Sequence, residues 1–255
     1  MTSEIQTDWG GVGKWYDSIV GQEGHYYHQQ IILPKLLSLF DLESYESPSL
    51  LDLACGQGIL AHHIPSHVSY TGIDLAPSLI ASANSRKRRN QTFLVGDICK
   101  PLSTKKNDFT HAAIILALQN VAQPDKALMQ AARHLVKGGV LGLVLNHPCF
   151  RIPRQSSWGI DQEKRVSYRR VDCYLSAQKI PIQMHPGKGK TSETTWSFHH
   201  SLAAYSRFLA DAGFVIILIE EWASDKKSTG KAAKMENRAR SEFPLFITFL
   251  AKKII

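Results

Sequence analysis

Five short apolar runs, SLLDLAC (49–55), VSYTGIDL (68–75), TFLVGDI (92–98), FTHAAIILAL (109–118) and GVLGLVLN (139–146), recur through the middle of the chain, with helix-patterned segments between most of them. Runs with little polar alternation are those of strands buried on both faces, and their alternation with helices predicts an α/β domain built on a parallel sheet. Pro77 and Pro124 suit the first turns of helices through SLIASANSRK and DKALMQAARHLV, the second expected to stop at Lys137-Gly138-Gly139. Residues 1–45 read as helical, in the pieces VGKWYDSIV and YYHQQIILPKLLSLF, separated around Gly21 and Gly24. Beyond residue 200, SLAAYSRFLADAGF predicts a helix stopped by Gly213, and FVIILIEEW and FPLFITFLAKK predict two strands. No helix-length apolar segment links those two strands, so an antiparallel edge is expected.

Composition narrows the class. The 255 residues are 44% hydrophobic, enough for a sizeable core. The longest apolar candidate, IILPKLLSLF, is short and broken by Pro34 and Lys35, so no membrane span is expected. The N-terminus lacks a basic region followed by an apolar stretch, which leaves a cytoplasmic location as the expectation. Cys55, Cys99, Cys149 and Cys173 form no C-x-x-C pair, and the adjacent pairs His62-His63 and His199-His200 point in different directions. Neither a disulfide framework nor a metal site is expected. A net charge of +8 fits nucleic acid, an anionic substrate or a solvated basic surface, and does not choose among them. The cluster RKRR (86–89) has a local explanation at the negative end of a helix.

The chemistry concentrates where the strands end. Gly56-x-Gly58-x-x-Ala61 after the first strand satisfies a dinucleotide fingerprint mechanically. Asp52, four residues ahead of Gly56, would repel a pyrophosphate but welcome a cationic cofactor. Asp74 ends the second strand, where a carboxylate accepts hydrogen bonds from ribose hydroxyls. Asp97 ends the third, in position to accept from the exocyclic amine of adenine. Three acids at successive strand ends around a glycine turn describe a pocket for an amino-acid-bearing nucleoside without phosphates, which is S-adenosylmethionine.

These segments resemble class I S-adenosylmethionine-dependent methyltransferases, the type-11 methyltransferase domain group. LLDLACGQG, GIDLAP and FLVGDI look like its first three motifs, and LALQNVAQPDKALMQAARHLVKGGVLGLV is similar to its path from the fourth strand into the fifth. The resemblance is close over residues 49–146 and looser at WYD (15–17) and SFHHSLAAYSRFLADAGF. Ala54 replaces the family's usual first glycine and Asn120 a common histidine.

The resemblance implies an α/β, Rossmann-like, doubly wound and mostly parallel seven-stranded sheet with an antiparallel C-terminal strand. It also implies a division into an N-terminal helical lid (1–45), a donor-binding core (46–148), a basic substrate-cap insert after the fifth strand (149–200) and a C-terminal completion of the sheet (201–255). Asp52, Ala54, Gly56 and Gly58 would line the methionine part, Asp74 and Leu75 the ribose side, Asp97 and Ile98 the adenine, and Leu116 the floor near the sulfonium.

The acceptor is less determined. NHPCF (146–150) resembles an amino-methyltransferase signature but follows the fifth strand, where that role does not fit; its His147 is nonetheless a candidate base, as are His25 and Tyr16. Between residues 151 and 190 nine Arg and Lys stand against three acids, interleaved with Trp158, Tyr168 and Tyr174. Such a segment clamps an anionic small molecule, binds nucleic acid or is simply solvated. The expected enzyme is a methyltransferase acting on a polar or anionic small molecule in preference to nucleic acid. The rival assignments are an RNA methyltransferase, a non-catalytic S-adenosylmethionine-binding regulator and a nicotinamide-dependent oxidoreductase. Oligomeric state is not legible.

Overall fold

The computed structural model describes residues 25–183 and 194–255; Trp15, Tyr16 and the loop HPGKGK (185–190) lie outside the described residues. A π-helical turn, His28–Ile32, leads into α1 (Leu33–Phe40), with Pro34 in its first turn. Then come β1 (Ser49–Leu53), α2 (Ile59–His63), β2 (Ser69–Asp74), α3 (Pro77–Ser85), β3 (Gln91–Val95), β4 (Phe109–Ile115), α4 (Pro124–His134) and β5 (Leu135–Asn146). Two hairpins follow, β6 (Ser156–Asp161) with β7 (Val166–Val171) and β8 (Gln178–Gln183) with β9 (Thr194–His199). The chain ends with α5 (Leu202–Asp211), β10 (Phe214–Trp222), α6 (Ala233–Glu242) and β11 (Phe246–Lys253).

Seven strands form one sheet in the order β10-β11-β5-β4-β1-β2-β3. β1 pairs parallel with both β2 and β4, and the order of connection reverses between β1 and β4. Ligands of doubly wound sheets sit at the carboxyl ends of the strands flanking such a reversal. Each residue of β1 is buried, the burial expected of a central strand. Leu36 and Phe40 of α1 lie directly on β5, where a side chain at Gly142 would come within 2.6 Å of Leu36. Glycine there is what lets the helix sit on the strand.

Two boundaries differ from the sequence expectation. The helix over 124–134 ends three residues before Lys137: His134 Nδ1 bonds the Gln130 carbonyl at 2.9 Å, and Leu135 already pairs with Phe109. Gly138, at φ 83°, bends the incoming strand instead of capping the helix. At the other end, β10 and β11 are antiparallel as expected, but β11, the later strand, is inserted between β5 and β10. The burial of Phe246 to Ala251 suits an inner strand, whereas β10 exposes Val215, Ile217 and Ile219 at the edge.

The basic cluster after α3 is spent locally. Arg88 donates to the carbonyls of His62 (2.8 Å) and Ile64 (3.1 Å), closing the end of α2, and Arg86 reaches Gln57 Oε1 at 3.1 Å. No described helix is long and apolar enough to cross a membrane.

Candidate active site

The turn after β1 is built from left-handed residues. Ala54 has φ 60°, Gly56 φ 57° and Gly58 φ 81°, a conformation that costs a residue with a Cβ about 1 kcal/mol. A side chain at Gly58 would also meet the Phe93 ring at 2.8 Å, so glycine there brings α2 against β3. Cys55 N–H donates to the Ile73 carbonyl (3.0 Å), tying the turn to the end of β2.

Asp74 completes that tie. Its Oδ2 accepts from Gly56 N–H at 2.8 Å and its Oδ1 from Ala76 N–H at 2.9 Å. Burial raises its pKa, and the backbone donors at Ala76, Gly56 and Leu75 act in the opposite direction. Further lone pairs on the two oxygens stay available to hydroxyl donors.

Asp52 is 3% exposed, and Tyr70 donates its phenolic hydrogen to Oδ2 at 2.6 Å. Burial above all raises this carboxyl, Tyr70 pulls it down and the charge of Asp74 adds to the rise, leaving it at about 7. Asp52 is therefore poised between its two forms at neutral pH.

A small, partly open cleft lies at the reversal between β1 and β4. It is lined by Asp52, Ala54, Cys55, Gly56 and Gln57 below, by Ile59, Leu60 and Ile115, and by His28 and Leu33 from the N-terminal side. His28 Nδ1 is buried without a hydrogen-bond partner. Burial first, and the neighbouring His25 second, draw His28 down to about 4, so its ring is neutral above that pH. The segment bearing it is fastened to the stretch after β10: Tyr26 Oη donates to Asp225 at 2.8 Å, Tyr27 Oη and Ser224 Oγ are 3.1 Å apart, and Lys226 Nζ sits 4.5 Å from the centre of the Tyr26 ring.

The other residues singled out in the sequence, Asp97, Ile98, Leu75, Leu116, His147 and His25, are not among those lining this cleft. Asp97 is half-buried; its Oδ1 accepts from Cys99 N–H at 2.9 Å and its Oδ2 lies 3.6 Å from Lys100 Nζ. Ile98 is packed in the core, and Leu75 is 39% exposed at the same sheet edge. Leu116 has φ 51° and donates its N–H to Val144 O at 2.8 Å, turning the chain out of β4.

His147 is 1% exposed with both ring nitrogens engaged: Nδ1 accepts from Cys149 N–H at 3.1 Å, so Nε2 carries the hydrogen donated to Glu221 at 2.5 Å. No nitrogen is left to take a proton from an acceptor. His25 is exposed, its ring 5.5 Å from that of Tyr27, and is not among the cleft residues. His28, one helical turn further on, is the histidine that faces the cleft. The sequence carries no local signal for it, since YYHQQII reads as an ordinary amphipathic segment.

The donor set fits S-adenosylmethionine. The cleft presents a carboxyl and an orphaned imidazole nitrogen, both hydrogen-bond acceptors, beside an open glycine turn; an ammonium and a sulfonium are the matching charges. The sheet is Rossmann-like in its strand order, with acids at the ends of its first two strands and a third just beyond β3.

Residues 51–143 match the family model described as a methyltransferase domain. Among solved structures, the chain is similar to an S-adenosylmethionine-dependent methyltransferase from Mesorhizobium loti, with 23% identity, a TM-score of 0.65, and 86% of this chain and 96% of that one covered. It is also similar to a chain of the Haloferax volcanii complex between the Trm112 methyltransferase activator and a methyltransferase, with 14% identity, a TM-score of 0.63 and coverage of 99% and 100%. An S-adenosylmethionine-bound amino pentose methyltransferase from Micromonospora echinaspora matches with 17% identity, a TM-score of 0.56 and coverage of 87% and 90%. No curated protein sequence matches the chain.

Proposed function

We propose that the protein methylates a polar or anionic small molecule, and that it does so in the cytoplasm. The carrying observation is the cleft between Asp52 and His28, whose N-terminal wall is held by Tyr26 on Asp225 and Tyr27 beside Ser224.

When bound, S-adenosylmethionine supplies a methyl group already made electrophilic by its sulfonium. In our assignment, the ionised Asp52 carboxylate and the neutral His28 Nδ1 hold the cationic methionine end, Asp74 accepts from the ribose hydroxyls, and Asp97 with Ile98 borders the adenine. Ile115 carries the wall of the cleft away from the donor turn, and the apolar residues Leu33, Ile59 and Leu60 exclude water. The protein's contribution is alignment, which is worth several powers of ten when donor and acceptor are held in line. A neutral amine or a thiolate acceptor needs no base from the protein.

The first test is thermal shift with S-adenosylmethionine, S-adenosylhomocysteine and NAD in parallel; about 2.7 kcal/mol is gained at 100 times the dissociation constant. Stabilisation by the two sulfur nucleosides alone is expected. Incubation of a cell extract with methyl-labelled donor should then place the label in the low-mass fraction. Label confined to RNA or protein would reject the small-molecule acceptor.

A further inference from the structure

Two arginines beyond β5, Arg151 and Arg169, are tied to the same turn of the chain. Arg151 closes the turn that leaves the sheet, its N–H donating to His147 O at 2.8 Å. Arg169, on β7, donates through Nη2 to the Phe150 carbonyl and to Ser156 Oγ, and its guanidinium lies 4.9 Å from the centre of the Trp158 ring. Trp158 packs edge-on against Phe243 at 5.3 Å, and Phe243 against Phe150 at 5.5 Å. The Arg169 guanidinium is thus immobilised on the peptide that precedes Arg151.

Neither arginine has an acidic partner in the ion pairs among the described residues, whereas Arg170, next along the strand, pairs with Asp172. The Arg169 Nε is buried without a hydrogen-bond partner. Burial draws both guanidiniums below their usual range, and the charge of Arg151 adds to the effect on Arg169. Two like charges held together and partly desolvated are unfavourable unless an anion arrives to meet them. The place also adjoins the segment that bears His28: Arg151 is bonded to His147, His147 N–H donates to Leu245 O at 2.9 Å, and the neighbouring Phe246 packs edge-on against Tyr27 at 5.7 Å.

We propose that Arg151, steadied by Arg169, binds a carboxylate or phosphate oxyanion carried by the small-molecule methyl acceptor. This rests on the methyl-transfer assignment above and supplies the chemical class of its substrate. Arg151 is exposed and so within reach of an incoming group, and a planar guanidinium meets an oxyanion with two parallel hydrogen bonds. Arg169 is a positioning residue: it fixes the Phe150 carbonyl and adds its charge. The remaining basic residues of the first hairpin play no part, Lys164 being at its tip against Asp161.

The test uses the full chain saturated with S-adenosylhomocysteine, titrated by thermal shift with inorganic phosphate and, separately, with acetate, at constant ionic strength held by chloride. Saturable stabilisation by at least one anion is expected, weakened at least tenfold in Arg151→Gln, partly restored in Arg151→Lys and unchanged in Lys164→Gln. A response to phosphate alone assigns a phosphorylated acceptor, and one to acetate alone a carboxylic acid. Equal responses in wild type and Arg151→Gln, or no saturable response, would overturn the proposal. A single-stranded RNA oligonucleotide effective well below the free anions would also overturn it, by moving the oxyanion to a nucleic-acid backbone. Binding of S-adenosylhomocysteine is measured beforehand, so its absence would count against methyl transfer and not against the anion site.

Discussion

Tyr70 donates its phenolic hydrogen to Asp52 across β1 and β2, at 2.6 Å and out of contact with water, so the carboxyl facing the donor cleft has one fixed partner and a pKa near 7. The ionised form attracts a cationic donor, so donor affinity should climb as pH rises from 5.5 and level off above about 7, by at most tenfold per pH unit. Tyr70→Phe removes a bond that stabilises the ionised form and should move the midpoint upward. Calorimetric titration with S-adenosylmethionine at several pH values reads both effects, and a flat profile would contradict this role of Asp52.

The same groups set the acid stability of the free protein. Asp52, raised from 3.8 to about 7, contributes stability that is lost as pH rises between those values. His28 and His111, each lowered from 6.5 to about 4 chiefly by burial, act oppositely: the unfolded chain takes up protons there that the folded one refuses. Two histidines outweigh one aspartate, so the melting temperature should rise between pH 4 and 6.5. Asp52→Asn should steepen that rise, and His28→Gln should flatten it.

Asp74 and Asp97 should separate when each is changed to alanine. Asp74→Ala strands the N–H groups of Gly56 and Ala76, costing about 3 kcal/mol of stability as well as at least tenfold in donor affinity. Asp97 is half-buried and holds only Cys99 N–H and a loose ion pair, so Asp97→Ala should weaken donor binding with a much smaller change in melting temperature. Paired melting curves and donor titrations distinguish the two.

Ala54 occupies a left-handed conformation that glycine adopts without penalty. Ala54→Gly should therefore stabilise the chain by up to about 1 kcal/mol, a shift of roughly 2–4 °C for a domain of this size. A fall in melting temperature would mean that the alanine methyl group contributes packing that outweighs the backbone strain.

Glu221 accepts the hydrogen on Nε2 of His147, and through it the end of β10 is fastened to the turn after β5. Glu221→Gln keeps one hydrogen-bonding group in place but removes the charge, and should lower the His147 pKa further while leaving donor affinity unchanged. Nuclear magnetic resonance of the imidazole reads the first quantity, and donor titration the second.

The order of elements, the burial of the central strands, the glycine turn and the acids around it were legible because each depends on local features: periodicity over a few residues, a φ that glycine favours, or a side chain just beyond a strand. Contacts between distant segments were not. Nothing local to YYHQQII distinguishes His28 from His25, since which face of a one-turn segment looks into the cleft depends on how α1 lies across β5. Nothing in NHPCF shows that Cys149 and Glu221 occupy both nitrogens of His147, 74 residues separating the histidine from the glutamate.

A parallel α/β domain with a glycine turn after its first strand and acids at successive strand ends is legible in the chain, because those properties are written in short-range pattern and backbone chemistry. The bond from Tyr70 to Asp52, the inner place of β11, His28 at the cleft and Arg169 on the peptide before Arg151 emerge only when distant segments pack together. Side-chain direction and electrostatic environment are set by packing between segments far apart in the chain, where burial changes both the partners and the pKa of every group.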